Sequence, residues 1–348
     1  MTVYVFTCLD VYLFIDPMRN PFVISLLALI LMLILSIGIG SVFIPPAQLW
    51  SVLTGMTSNE TFRTILWDIR LPRTMLITLV GAALGGSGAA YQGLFRNPLA
   101  DPYLIGVASG AGLGAVLAMS VNWPYTGLGL LAIPLAAFAA SLMTVYIVYL
   151  LSNIGGTVPT TSLILAGVAV SSFAVSLTSF LMLRSTGEVR RALGWLLGGV
   201  SLVGWDVTLT LIPYLAIGLT ALLLNAYSLN VMQFGDDQAA QMGLNVRRAK
   251  FIIIVAASLV TAAAVSFAGI IGFVGLVVPH IVRIWWGVDY RRLLPLSIIG
   301  GASVLLFADV LARIVMAPQE LPVGIVTALA GAPFFLWVLR HSKNQGFW

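Results

Sequence analysis

Two histidines, His280 and His341, and two lysines, Lys250 and Lys343, are the only ones in the 348-residue chain. The histidines sit on different segments, with no HExxH or comparable ligand spacing, so no metal site is read. Serine is common, but none has a base near it in sequence. No GxxxxGKS/T phosphate loop is present, so if ATP powers this protein another polypeptide must bind it. The lone cysteine, Cys8, excludes an internal disulfide and any cysteine-based metal cluster. No residue is therefore assigned to catalysis, to a metal or to a cofactor.

Four polar patterns remain, and each suggests recognition or positioning rather than bond-making. The longest polar run, "GDDQAAQMGLNVRRAK" from Gly235 to Lys250, opens with two aspartates and closes with Arg247, Arg248 and Lys250. A second, "FRNPLADP" from Phe95 to Pro102, places Asn97 before Pro98 and Asp101 before Pro102, an arrangement that stops one helix and turns the chain. Asp101 can also cap the helix that follows and meet its dipole. Ser172, Ser176 and Ser179 recur at helical spacing; such hydroxyls line a path for a polar cargo or hydrogen-bond a neighbouring helix. Finally, "IRLPRT" carries Arg70 and Arg73, and Arg313 follows a later apolar run. Three arginines at one mouth can dock a soluble partner with an acidic rim, or they can snorkel to lipid headgroups.

The elements that must position these groups are membrane spans. The chain is 60% hydrophobic and only 8% charged, whereas a soluble domain is nearer one quarter charged. Apolar runs of about 20 residues, rather than short alternating segments, point to helices and not to a β-barrel. The fold class is all-α: a polytopic membrane bundle of about ten transmembrane helices, expected near 22–44, 74–94, 103–121, 128–151, 160–183, 206–226, 251–270, 272–287, 293–311 and 323–340. The seventh and eighth almost merge at "AGIIGFVGLVVP", which implies a tight turn at membrane depth. Glycines at i, i+4 spacing, such as Gly81 and Gly85, or Gly106, Gly110 and Gly114, mark close helix packing. A faint echo between the second and eighth spans suggests a weak inverted repeat.

With a cytoplasmic N-terminus, the inner loops hold ten of the 17 basic residues and the outer loops seven, a small bias in the expected direction. The net charge of +5 fits anionic lipid rather than nucleic acid. The outer arginines exceed what orientation requires. Asp10 and Asp16 argue against a cleavable signal peptide; residues 1–20 are taken as an N-terminal cytoplasmic extension and 21–348 as a single transmembrane domain. Spans almost free of ionisable groups disfavour a carrier driven by a proton gradient. An intramembrane enzyme lacks paired catalytic groups.

Taken together, "RLPRT", "FRNPLADPYLIGVASGAGLG", "GFVGLVVPHIVR" and "ELPVGIVTALAGAPFFLWVL" resemble the permeases of bacterial ABC importers for iron–siderophores, haem and cobalamin. The likeness runs in order from about Pro45 to Leu339. It implies a subunit of the cytoplasmic membrane with both termini inside. Its partners would be a second permease copy, identical or a sister chain, two copies of a separate ATPase that binds ATP and magnesium, and a substrate-binding protein. It also implies that Asp236, Asp237, Gln238, Ala239, Ala240, Gly243 and Leu244, in a coupling loop of about 227–250, rest on the ATPase. Arg70, Arg73 and Arg313 match positions that meet carboxylates of the binding protein. The span bearing Ser172, Ser176 and Ser179 matches one that lines the pathway. The cargo implied is an iron(III)–siderophore or a similar large metal chelate, with cobalamin or haem as alternatives.

Overall fold

A computed structural model of the chain describes residues 20–40, 44–54, 60–121, 127–153, 155, 158–184, 189–200 and 204–342. Residues 1–19 of the expected N-terminal extension, and Lys343, lie outside the described residues. No strand occurs among those described.

Ten apolar helices occupy the ten expected spans. They are α1 (Pro21–Gly38), α4 (Leu71–Leu94), α5 (Val107–Met119), α6 (Gly127–Ser152), α7 (Thr160–Arg184), α9 (Trp205–Leu224), α12 (Val246–Ala268), α13 (Val274–Trp286), α14 (Tyr290–Ile314) and α15 (Val323–Ser342). Seven runs are long and apolar enough to cross a bilayer, and α5, α13 and α15 are shorter apolar helices. Five short helices connect them: α2 (Pro46–Leu53), α3 (Glu60–Thr64), α8 (Val189–Leu196), α10 (Ala226–Met232) and α11 (Asp236–Gln241). A π-helical turn, Ile65–Arg70, leads into α4.

Asn20 caps α1 from outside: its Oδ1 accepts the Phe22 N–H at 3.0 Å, and Pro21 then starts the helix where no N–H donor is needed. The same helix ends at Gly38, six residues before the expected 44. The amphipathic helix α8 was not anticipated. Its Trp195 and Ala192 pack with Ala111, Ala115, Met119 and Ile133 in a small second core.

Helix α4 is the axis of the bundle. It is buried along nearly its whole length and packs on α14, α12, α13 and α9. Its glycines allow this. A Cβ on Gly85 would stand 2.1 Å from the Ser297 oxygen of α14, and one on Gly88 would stand 1.9 Å from the Gly275 oxygen of α13. Lipid supplies no hydrophobic drive between helices, so close backbone approach and dispersion must hold them together.

The break between α12 and α13 spans Gly269 to Phe273, with left-handed backbone at Gly269 (φ 74°) and Phe273 (φ 69°). Unwound backbone at membrane depth needs partners. Tyr103 supplies two: its hydroxyl donates to the Ile271 oxygen at 2.9 Å and accepts the Ile271 N–H at 3.2 Å.

Candidate functional site

Helix α4 runs from the arginine cluster at one end of the bundle to the α11 region at the other. At the α11 end it closes with Arg96 in left-handed backbone (φ 50°), while the Asn97 N–H reaches the Gln92 oxygen at 3.1 Å and the Arg96 N–H reaches Gly93 at 3.2 Å. That is a Schellman termination with arginine where glycine is usual. The "FRNPLADP" turn follows. Asn97 Oδ1 accepts the Leu99 N–H at 2.9 Å, and Asp101 Oδ1 accepts the Tyr103 N–H at 2.8 Å. Pro98 follows Asn97 within the turn, and Pro102 is buried. Asp101 therefore caps a one-turn 3-10 helix, Pro102–Ile105, and not α5 itself, which begins at Val107. Burial raises the Asp101 carboxyl to about 6, against the Tyr103 N–H bond that favours its charge.

The polar run Gly235–Lys250 folds as α11 plus the start of α12. Gly235 (φ 105°) admits the turn from α10 into α11. Helix α11 ends in a second Schellman motif: Leu244 N–H to the Ala239 oxygen and Gly243 N–H to the Ala240 oxygen, each 3.0 Å, with Gly243 at φ 85°. Asn245 then caps α12 by accepting the Arg248 N–H at 3.0 Å. Asp236 pairs with Lys250, whose side chain is buried and which also faces the Val158 oxygen. Of the seven residues singled out here, Ala239 is fully buried and Leu244 half-buried, while Asp236 is held by Lys250. Asp237, Gln238, Ala240 and Gly243 face outward. Phe234 and Met242 are also exposed, at 62% and 61%. Sequence reasoning passed over both, because a large apolar side chain carries no signal among so many others.

Helix α10 joins this region to the bundle. Asn230 Nδ2 donates to Asp289 Oδ1 at 2.6 Å and Asn230 Oδ1 accepts the Tyr290 N–H at 2.8 Å. Arg291 lies over the Tyr227 ring at 5.3 Å, a cation–π contact. Burial alone would raise the Asp289 carboxyl. The Asn230 and Arg291 N–H bonds, with the charges of Arg291 and Arg292, hold it below its ordinary value.

At the opposite end the three arginines are turned into the protein. Arg70, Arg73 and Arg313 are 5%, 9% and 4% exposed. Arg70 Nη1 donates to the Ile37 and Gly38 oxygens at 2.8 and 3.0 Å. Arg313 Nη1 donates to those of Ser36 and Ile39, both at 3.1 Å. These are the carbonyls that the end of α1 leaves without intrahelical partners, and α1 has no basic residue of its own in its last turn. Arg73 bridges two carboxylates, Asp309 at 2.9 Å and Glu320 at 2.6 Å, and Arg313 Nε faces Asp309 at 3.0 Å. Asp309 is fully buried, whereas the Glu320 side chain is 42% exposed. Asp309 thus sits inside α14 in a buried ion-pair network.

The sequence and the fold have counterparts among known proteins. The profile of the FecCD transport family matches residues 28–341. The chain belongs to that family. Among the relatives of this FecCD permease is the cobalamin import system permease protein BtuC of Halobacterium salinarum. It is 45% identical over 284 residues, covering 82% of this chain and 75% of the relative. The hemin transport system permease protein HmuU of Yersinia pestis is 39% identical over 328 residues, covering 91% and 95%. A solved ABC transporter assigned to the metal-chelate type, in an inward-facing conformation, superposes with a TM-score of 0.80 at 28% identity, covering 91% of this chain and 97% of its own. The FecCD chain is therefore an integral membrane transport permease of the ABC class.

In this permease Ser172, Ser176 and Ser179 lie on an exposed face of α7 together with Phe173 and Phe180. Each hydroxyl donates to the carbonyl four residues back, at 2.8, 2.8 and 2.9 Å. Their protons are spent within the helix, so outward they present acceptor oxygens. The interhelical bond in this stretch is made instead by Ser171, whose Oγ accepts from Ser109 of α5 at 3.1 Å. No group of three or more His, Cys, Asp or Glu side chains placed to hold a metal ion occurs among the described residues.

Proposed function

We propose that the chain is the permease subunit of an ATP-driven importer in a bacterial cytoplasmic membrane, with both termini inside. Its proposed cargo is an iron(III)–siderophore or a similar large metal chelate, with cobalamin or haem as the alternatives. The support for a chelate is the relatives and the solved structure, whose names share a large metal-centred ligand. Two copies of the permease, or this chain and a sister, enclose the pathway, and the acceptor face of Ser172, Ser176 and Ser179 lines it.

The observation that carries the ATPase contact is α11. It is too short and polar to lie in lipid, and its side chains Asp237 and Gln238, with Met242 at its C-cap, are exposed. Its ends are nevertheless fixed, by the Asp236–Lys250 pair and the Gly243 termination. A clamped helix with an open face is suited to transmit a push. A separate ATPase holding ATP and magnesium would press on it, and nucleotide would then favour one conformation of the permease.

The binding protein is placed at the arginine end. Three arginines against the two carboxylates Asp309 and Glu320 leave that cluster one net positive charge, which suits an acidic rim.

Reconstituted alone, the permease should hydrolyse no ATP. With its ATPase and binding protein it should take up radioactive iron(III)–hydroxamate, in competition with hemin and cobalamin as further probes, only when ATP is supplied. Uptake driven by an ion gradient without any ATPase overturns the reading.

A further inference from the structure

The inner ends of α4, α13 and α14 share one polar junction, and none of the roles above uses it. Arg283, in the last turn of α13, donates from Nη2 to Gln92 Oε1 of α4 at 3.0 Å, and the same nitrogen lies 3.5 Å from the Tyr290 hydroxyl of α14. Gln92 is 1% exposed, and its amide donates in turn to the Leu276 oxygen of α13 at 3.1 Å. Beside it, a Cβ on Gly93 would stand 2.8 Å from the Tyr290 ring and 2.9 Å from Leu229 of α10. Helix α4 therefore lies directly against α14 and α10 at this point.

The junction continues to α11 without a break. The Tyr290 main chain is bonded to Asn230 of α10, Asn230 holds Asp289, and Gln233 donates to Asn230 Oδ1 at 3.2 Å and to the Val288 oxygen at 3.3 Å. With Arg291 over Tyr227, this fixes α10 to the start of α14 at several points. Only Gln233, Phe234 and Gly235 separate α10 from α11. A displacement of α11 must carry α10, and α10 must carry the start of α14. At this end of the bundle, the polar bonds through which α14 then meets α4 and α13 converge on one guanidinium.

That guanidinium is not saturated. Arg283 Nη1 is buried with no hydrogen-bond partner among the described residues, and so is His280 Nδ1, one turn earlier on the same helix. A buried donor or acceptor left unpaired is costly. Here it means that the junction holds spare bonding capacity and can exchange partners without drawing the arginine into water.

We propose that Arg283 is the positioning residue through which movement of the α10–α11 unit reaches α4, and so couples events on the ATPase side to the arginine end of the same helix. This rests on α11 being the ATPase contact. Coupling between the two ends is measurable without knowing the cargo, as the ratio of the binding protein's affinities for the complete importer with and without ATP–Mg.

The test uses the full complex of permease, ATPase and unloaded binding protein in lipid nanodiscs. In Arg283→Gln the ratio should move at least fivefold towards unity, with partial recovery in Arg283→Lys, while the ATPase still assembles. If Arg283→Gln does not assemble, Gln92→Met, which removes the acceptor with little change of volume, should shift the ratio in the same direction. A ratio within twofold of the unsubstituted complex overturns the inference, and so does a fall in assembly alone with the ratio intact. Asp237→Lys on the open face of α11 separates the two claims. If it leaves ATPase association unchanged, the contact reading fails and the inference fails with it. If it weakens association while Arg283→Gln keeps the ratio, the inference alone is wrong.

Discussion

Arg313, near the end of α14, donates to the Ser36 main-chain oxygen at 3.1 Å and to the Ser36 hydroxyl at 3.0 Å. A residue far along the chain thus finishes the first membrane helix. Arg313→Met should remove that cap and leave the buried Asp309 carboxylate with Arg73 alone. Breaking a buried, hydrogen-bonded pair on one side costs about 3 kcal/mol, so thermal melting in detergent should fall by several degrees. An unchanged melting point would show that the end of α1 contributes nothing.

Glu320 offers a cleaner probe of docking than the arginines do. Charge reversal at Arg70 and Arg73 would undo the α1 cap and the Asp309 pair, so weakened docking there would say little. Glu320 is partly exposed, and its pair with Arg73 is worth no more than about 1 kcal/mol to the fold. Glu320→Gln should therefore raise the positive charge of the cluster with little change in stability. Association of the binding protein should tighten a few-fold at low salt, and the gain should shrink as salt screens it. Weaker association at low salt would count against an acidic rim meeting this face.

A Cβ on Gly243 would meet nothing within 4 Å, so substitution there tests backbone geometry alone. Gly243→Ala should destabilise the end of α11 by about 1 kcal/mol, and Gly243→Asn by less. Amide exchange at Gly243 and Leu244 should speed up accordingly, with the bundle's melting point unchanged. Equal exchange in alanine and glycine forms would deny the left-handed termination any energetic role.

Asp101 carries a pH dependence whose sign is fixed. Its carboxyl is raised to about 6 from 3.8. The folded state binds the proton more tightly than the unfolded one, so stability is lost as pH rises from about 4 to about 6 and is flat above. The ceiling on that loss is about 3 kcal/mol. Asp101→Asn keeps the acceptor for the Tyr103 N–H and removes the charge. It should be more stable than the parent above pH ~6, with the difference fading towards pH ~4. A difference that ignores pH, or has the opposite sign, would refute this.

The spans were legible because hydropathy is a local property, and the glycine contacts because small residues at helical spacing have few other uses in a membrane. The polar run at Gly235 was legible as a distinct unit, since charge stands out against hydrocarbon. What the arginines touch was not. Arg70 meets carbonyls of α1 some thirty residues earlier, and Arg313 meets α1 across nearly the whole chain. Main-chain acceptors leave no mark in a sequence. Helix α8 escaped notice for a related reason: it is brief, and its one strong signal, Trp195, reads equally well as an interfacial anchor. The early end of α1 was hidden because apolar residues continue beyond Gly38, and composition does not report where a helix stops.

The crossing of α4 and α14 has a mechanical meaning as well as a packing one. A Cβ on Gly81 would lie 2.4 Å from the Gly301 oxygen, and one on Gly301 would lie 2.2 Å from the Gly81 oxygen, so bare backbone faces bare backbone. Interlocked leucines would have to climb over one another before either helix could slide. At this crossing point the two surfaces carry no such teeth. The glycine contact sets how far apart the helices stand, while their register is held towards the ends, by the Arg73–Asp309 pair at one and the Arg283 junction at the other, so a shear of one helix on the other goes only as far as those polar bonds yield.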